Sequence, residues 1–172
     1  MSKFSPERFK EVAFLPENGL MDRKSQLYRV YGRNILKSRA DLIKDMIALA
    51  NTARRRGKPA YLFFGVQDKP FSGAGDPLPG IDGQYSRPTK PQDWDTLTIE
   101  EQQERVGRDY QKIIADYVTP PMDFEYLWGY VDGKLVSYIL IEYNPHEHPF
   151  EVKKKVASKK RSTSNKGIAG NG

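Results

Sequence analysis

The sequence predicts an α/β fold in which two main helices pack on a central mixed β-sheet. Two observations carry this prediction. An amphipathic helix pattern ends at Gly57 and is followed directly by an apolar run of strand length, residues 60–66. A second helix pattern, over about 98–118, is followed by two strand-like runs joined at Asp132-Gly133. Helix and strand patterns that alternate in this way are typical of α/β domains.

The composition excludes several classes of protein. The chain has 172 residues, which suits one domain with its own hydrophobic core. It has no cysteine, so disulfides and thiolate metal sites are excluded. It has no apolar run long enough for a transmembrane helix, and charged residues occupy the start, where a signal peptide would be apolar. We therefore expect a cytoplasmic protein that does not associate with membranes.

Charge is distributed unevenly along the chain. Residues 1–60 hold 14 basic and 6 acidic side chains, whereas residues 61–150 hold 7 basic and 15 acidic ones. Residues 151–172 are basic again, with 7 against 1. The two basic ends could bind a polyanionic partner. The alternative is that the charges only form a solvated surface and a tail that keeps the chain soluble.

The N-terminal part gives the weakest structural signal. Residues 1–16 have no clear period and contain two prolines, so we expect a peripheral segment, for which one helical turn remains open. Between Met21 and Tyr31, apolar and basic residues are interleaved. A strand pair and a short helix both remain open for this stretch.

The first strong helix pattern follows. Ser38 is the expected N-cap, and Gly57 and Pro59 end the helix. We expect Asp45 to face away from the core together with the other charged residues of the helix. The predicted buried stripe consists of Leu42, Ile43, Met46, Ile47, Leu49 and Ala50.

The remaining elements are predicted by equally simple patterns. Residues 60–66 are apolar on both faces, which indicates a strand covered on both sides. Residues 67–98 are rich in Gly, Pro, Asp and Ser and predict a long loop. The second helix is expected to bury Val106, Tyr110, Ile113, Ile114 and Tyr117. The hairpin strands are expected over 124–131 and 135–143.

The C-terminal end changes in character. After Pro149 the chain carries basic runs and then Ser, Thr, Asn and Gly. We therefore divide the chain into a peripheral segment over 1–16, a domain over 17–152 and a basic, flexible tail or linker over 153–172.

Two groups of residues could carry chemistry. Glu17, Asp22 and Asp68 are carboxylates that could hold a divalent cation, if the fold brings them together. Arg54–Arg56 end the first strong helix, where cations stabilise the helix dipole and where arginines could also bind phosphate.

The sequence resembles the Schlafen AlbA-like domain family at two motifs. One is Ala50-Asn51-Thr52 at the helix end, and the other is Gly65-Val66-Gln67-Asp68 after the buried strand. A helix that ends in Pro120-Pro121 and the hairpin through Asp132-Gly133 are also similar to the family. The resemblance covers about residues 17–150 and implies an α/β domain that contacts DNA or RNA.

The resemblance also implies a site. The family carries two acidic residues followed by a lysine, and Glu17, Asp22 and Lys24 fit this pattern, with Asp in place of the second Glu. In nuclease members of the Schlafen family, these acids and the Asp of Gly-Val-x-Asp form a metal-dependent RNA-cleaving site. By resemblance, Glu17, Asp22 and Asp68 would bind Mg²⁺ or Mn²⁺, with Lys24 beside the phosphate.

Two features depart from the family pattern. Arg54–Lys58 stands where the family usually has two glycines, which adds positive charge beside the implied site. The closing strand of the family, with its Arg-Gly-Ser pattern, is missing. We therefore expect the chain to be a fragment of a longer protein with further C-terminal domains, and a shortened member of the family is the alternative.

Nucleic-acid binding is the function that these observations favour, with RNA and DNA both open. A divalent-metal endoribonuclease and a protein-interaction or regulatory module of a longer protein are the alternatives. A homo-oligomer also remains open. The expected phosphate contacts are Arg23, Lys24, Arg54, Arg55, Arg56 and Lys58.

Overall fold

A computed structural model describes residues 3–16, 18–30, 32, 35–68, 75–143 and 148–153. In chain order the described elements are α1 (Pro6–Ala13), β1 (Met21–Lys24), α2 (Leu36–Arg56), β2 (Ala60–Phe64), a 3₁₀ turn (Trp94–Thr96), α3 (Ile99–Tyr117), β3 (Val118–Thr119), β4 (Phe124–Val131), β5 (Lys134–Ile141) and β6 (Glu151–Val152).

The main sheet has four strands in the order β1-β2-β5-β4. β1 runs parallel to β2, whereas β5 is antiparallel to both β2 and β4. The predicted mixed sheet is confirmed, and the apolar strand β2 lies inside it. The hairpin is also confirmed: Asp132 and Gly133 have φ of 51° and 77°, the positive values that a two-residue hairpin turn requires.

Helix α2 begins earlier than the sequence predicts. It starts at Leu36, and Ser38 is not its N-cap, because its hydroxyl instead accepts a hydrogen bond of 3.1 Å from the backbone N–H of Arg29. This bond ties the loop after β1 to the first turn of α2. The predicted end is confirmed, since Gly57 has a φ of 64° and donates its N–H to the carbonyl of Ala53.

Helices α2 and α3 pack on one face of the sheet and form the larger core. The predicted stripes are buried, except that Ile47 and Tyr117 lie at the rim and are only partly buried. α3 begins with a capping box between Thr98 and Glu101, which fixes its start one residue after the predicted position. No helix in the described ranges combines the length and the apolar content that crossing a membrane requires.

The other face of the sheet is covered by α1, which corrects the prediction of a peripheral N-terminal segment. Ser5 accepts a hydrogen bond from the N–H of Arg8 and caps the helix. Phe9 is fully buried, and its ring meets Phe63 edge to face at 5.3 Å. A sheet that is apolar on both faces needs a second cover, and residues 6–13 supply it.

The loop after β2 is partly packed rather than free. Its described part, residues 75–98, buries Leu78, Ile81 and Trp94. Gly65 has a φ of 86°, and a Cβ at this position would lie 3.0 Å from the Cα of Gly80. A side chain at residue 65 would therefore collide with the returning loop, which explains the glycine of Gly65-Val66-Gln67-Asp68.

The segment 148–153 is attached along α2 and α3. The Asn51 side chain donates to the Phe150 carbonyl at 3.0 Å and accepts from the Phe150 N–H at 2.8 Å. Lys153, placed by the sequence at the start of the tail, donates its backbone N–H to Tyr117 at 2.9 Å. The rest of the predicted tail lies outside the described residues.

Candidate nucleic-acid interface

Four cations surround the C-terminus of α2. We call Arg54, Arg55, Arg56 and Lys58 the basic cluster. Arg55, Arg56 and Lys58 are exposed, and Arg54 is half-buried. Because Gly57 reverses the chain in a left-handed conformation, residues on both sides of the turn are held at one end of a rigid helix.

The basic cluster carries more charge than the helix end requires. A helix C-terminus bears about half a negative charge, which one or two cations offset. Arg55 Nη2 also bonds the Thr52 hydroxyl at 3.1 Å, and this hydroxyl donates to the Ala48 carbonyl at 2.9 Å. The remaining positive charge faces solvent, where it can attract an anion.

The basic cluster lies beside the turn that precedes β1. A Cβ at Gly19 would lie 3.1 Å from Thr52 Cγ2 and 3.5 Å from Arg56 Nη2. Asn18 holds this turn, because its side chain accepts the N–H of Leu20 at 2.8 Å. The lack of a side chain at Gly19 therefore allows the turn to approach α2 closely.

Arg23 does not occupy the position that was predicted for it. Its side chain is only 2% exposed, and its Nε donates to the Ala13 carbonyl at 2.5 Å. Its Nη2 donates to the carbonyl of Leu15. Arg23 pairs opposite Phe63 and so faces the α1 side of β1. The strand alternation turns it inward, where it holds the end of α1 and cannot reach a phosphate in solution.

Asp22 and Lys24 face the opposite side, toward α2. Lys24 Nζ lies 3.5 Å from Asp22 Oδ2 and 3.4 Å from Asp45 Oδ2. Tyr28 donates its hydroxyl to Asp45. Lys24 is thus engaged by two carboxylates, and it is a poor candidate for a phosphate contact.

Asp45 corrects the expectation that it faces away from the core. The sequence does contain a signal for this position, because Asp45 lies three residues after Leu42 and four before Leu49. This spacing places it at the border of the buried stripe. An acid at such a border is expected to form an ion pair with a cation on the neighbouring strand, and Lys24 is that cation.

A cavity of about 280 Å³ lies between the turn before β1 and α2, and residues of both line it. Asp22 and Asp45 line one end of it, and Thr52 lines the other, next to the basic cluster. Two carboxylates against one lysine leave the first end negative on balance, which disfavours phosphate there. The anion-binding surface is therefore the exposed end of α2 and not this cavity.

The described residues cover only part of the predicted metal site. Glu17 lies outside the described residues, so the complete predicted trio of Glu17, Asp22 and Asp68 stays a prediction. Asp22 lies on the edge strand β1 and pairs opposite Leu62, the middle residue of β2, whereas Asp68 is exposed beyond the end of β2. Within the described ranges, no three His, Cys, Asp or Glu side chains are grouped so that they could hold a metal ion.

The ion pairs of Lys24 make the stability of the fold depend on pH. Burial lowers the pKa of Lys24, but the charges of Asp22 and Asp45 and the hydrogen bonds to them together raise it by more, so that the net pKa lies above 10.5. A raised pKa in the folded state means that the ion pairs stabilise the fold fully below pH 10.5 and that this contribution is lost as pH rises further.

We therefore expect Lys24→Met to be less stable than the wild type at neutral pH, with a difference that shrinks in strongly alkaline solution. Urea unfolding of both proteins across this pH range measures the difference. A difference that is constant or grows with pH would contradict the assignment.

Comparison with known proteins places the chain in a family. The family model described as Schlafen, AlbA_2 matches residues 17–169, a range that includes Ala50-Asn51-Thr52 and Gly65-Val66-Gln67-Asp68. No curated protein matches the chain. A solution NMR structure of the N-terminal domain of a RecG-related protein from Nitrosomonas europaea aligns with a TM-score of 0.49 and 15% identity, covering 89% of this chain and 82% of the other. Because the family match spans most of its residues, the chain belongs to the Schlafen AlbA_2 family.

Proposed function

We propose that this domain binds nucleic acid through its phosphate backbone and that the basic cluster at the end of α2 is the contact surface. The AlbA_2 family suggests a nucleic-acid-binding domain. The observation that carries the proposal is the exposure of Arg55, Arg56 and Lys58 around Gly57. The proposed contacts do not include Arg23, because it is buried, or Lys24, because it is paired with two acids.

The geometry suits phosphate recognition. Arginine presents several N–H donors in a planar fork that matches phosphate oxygens, and lysine adds a point charge. Cations held by a helix end need less ordering on binding than cations on a free loop. Contacts of this kind fix the position of the nucleic acid and carry little sequence information.

The two alternatives have less support. The endoribonuclease depends on Glu17, which lies outside the described residues, and on Asp22, whose carboxylate is 3.5 Å from the Lys24 ammonium. A protein-interaction or regulatory module would leave the exposed positive charge of the basic cluster unexplained.

The test is a salt titration of binding. The affinity of the purified chain for labelled RNA, single-stranded DNA and duplex DNA would be measured by fluorescence anisotropy between about 50 and 200 mM salt. Three phosphate contacts, from Arg55, Arg56 and Lys58, predict a slope of log K against log salt of about −2 for a single strand. Absence of binding at low salt, or an affinity independent of salt, would contradict the proposal and favour a protein-interaction module.

The same samples separate binding from cleavage. RNA incubated with Mn²⁺ or with EDTA would be analysed on a denaturing gel beside an Asp68→Ala variant. For a binding module, the RNA stays intact in every lane. Cleavage that requires both Mn²⁺ and Asp68 would establish the endoribonuclease instead.

A further inference from the structure

An exposed tyrosine adjoins the basic cluster. Ile141, the last residue of β5, pairs opposite Ala60 at the start of β2. The chain continues for two residues and brings the Tyr143 ring over the helix end, where Cε2 and Cζ lie 4.0 Å from the position of a Cβ at Gly57. The side chain is nevertheless 46% exposed. An aromatic ring and several cations thus share one surface.

Tyr143, which lies two residues beyond the end of β5, is more exposed than most aromatic residues of the neighbouring sheet. Phe63, Phe64 and Tyr138 are buried in the two cores. Among the described residues, the aromatic side chains that rank as exposed are Tyr130 and Tyr143. Tyr130 pairs opposite Leu135 near the hairpin turn, at the other end of β5, which separates it from the basic cluster. Of these two residues, Tyr143 is the one that lies beside the basic cluster.

Gly57 contributes to this arrangement. The residue must adopt a φ of 64° to end α2, which favours glycine. The Tyr143 ring lies beside the Gly57 turn and is partly open to solvent. Packing against a helix terminus would by itself account for such a ring, and the experiment below separates that role from ligand binding.

We propose that Tyr143 stacks against a base of single-stranded nucleic acid while Arg55, Arg56 and Lys58 bind the adjoining phosphates. This inference rests on the proposed function and specifies its ligand. A duplex keeps its bases stacked on each other, whereas a single strand can offer a base face to an aromatic ring. Because every base has such a face, recognition would tolerate different sequences.

The test compares strands with and without bases. Affinities of the wild type and of Tyr143→Leu would be measured for a short single strand, for an abasic strand of the same length and for a duplex. Loss of one stacked base predicts that Tyr143→Leu binds the normal single strand about 5- to 100-fold more weakly. Binding of the abasic strand is expected to be unchanged, and Tyr143→Phe is expected to retain wild-type affinity. Tyr130→Leu is the matched control and should bind as the wild type does.

Each outcome decides between the two proposals. If Tyr143→Leu binds the normal strand as the wild type does, or loses the same factor on the abasic strand, base stacking is wrong while phosphate binding stands. If the wild type binds none of the probes at low salt, the proposed function itself fails.

Tyr143→Trp provides a second measurement that does not depend on the stability of the leucine variant. Stacking predicts that the emission of the added indole is quenched by the normal strand and not by the abasic one. Equal emission with both strands, while both bind, would overturn the inference.

Discussion

Replacement of Arg55, Arg56 and Lys58 by glutamine is expected to weaken single-strand binding about 100-fold at 0.1 M salt. Each lost phosphate contact reduces the salt slope by about 0.7, so three contacts remove about two units of slope. The electrostatic contribution vanishes at about 1 M salt, so the two proteins should bind equally there. At a tenfold lower salt concentration, two units of slope make the affinity of the variant about 100-fold lower than that of the wild type. Glutamine is a good helix former, so α2 should persist. Anisotropy titrations at several salt concentrations measure both the affinity and the slope.

The matched control removes the same net charge elsewhere. Lys90, Arg108 and Lys112 are exposed residues outside the basic cluster, and their joint replacement by glutamine also lowers the net charge by three. This variant is expected to keep most of the salt slope. An equal loss in both triple variants would mean that the overall charge of the chain, and not the end of α2, attracts the nucleic acid.

Arg23→Met is expected to lower the free energy of unfolding by about 3 kcal/mol. The guanidinium is buried and donates to the backbone carbonyls of Ala13 and Leu15 at the end of α1. Methionine fills part of the volume but leaves these acceptors without their donor, and an unsatisfied buried polar group is costly. The salt slope of nucleic-acid binding should not change, because Arg23 makes no phosphate contact. Urea unfolding and the salt titration measure the two effects separately.

Lys10→Met serves as the comparison for Arg23→Met. Lys10 forms an ion pair of 2.7 Å with Asp132, and both side chains are largely exposed. Exposed pairs contribute little to stability, so this variant should unfold near the wild-type urea concentration. If Arg23→Met kept full stability and instead reduced the salt slope, the original assignment of Arg23 to the phosphate backbone would be correct.

Local sequence patterns were sufficient to predict those elements whose structure depends on residues near to one another in the chain. The helix that ends at Gly57, the apolar strand after it and the Asp132-Gly133 turn each depend on residues close together in the chain. Periodicity, a helix-ending glycine and a turn that needs positive φ are local properties, so they can be recognised without the fold. The basic cluster is predictable for the same reason, since its residues are nearly consecutive.

Tertiary structure decided which charged residues are available to a ligand. β1 has only four residues, too few to show a period. Its pairing with β2 determined that Arg23 faces the end of α1 and that Lys24 faces Asp45. Phe9 and Ala13 have helical spacing, but in a helix of eight residues this is a weak signal, and it is the contact between Phe9 and Phe63 that reveals the second core. Tyr143 likewise reaches Gly57 through the register between β5 and β2. These contacts join residues that are distant in the chain, and strand register, which no local pattern specifies, brings them together.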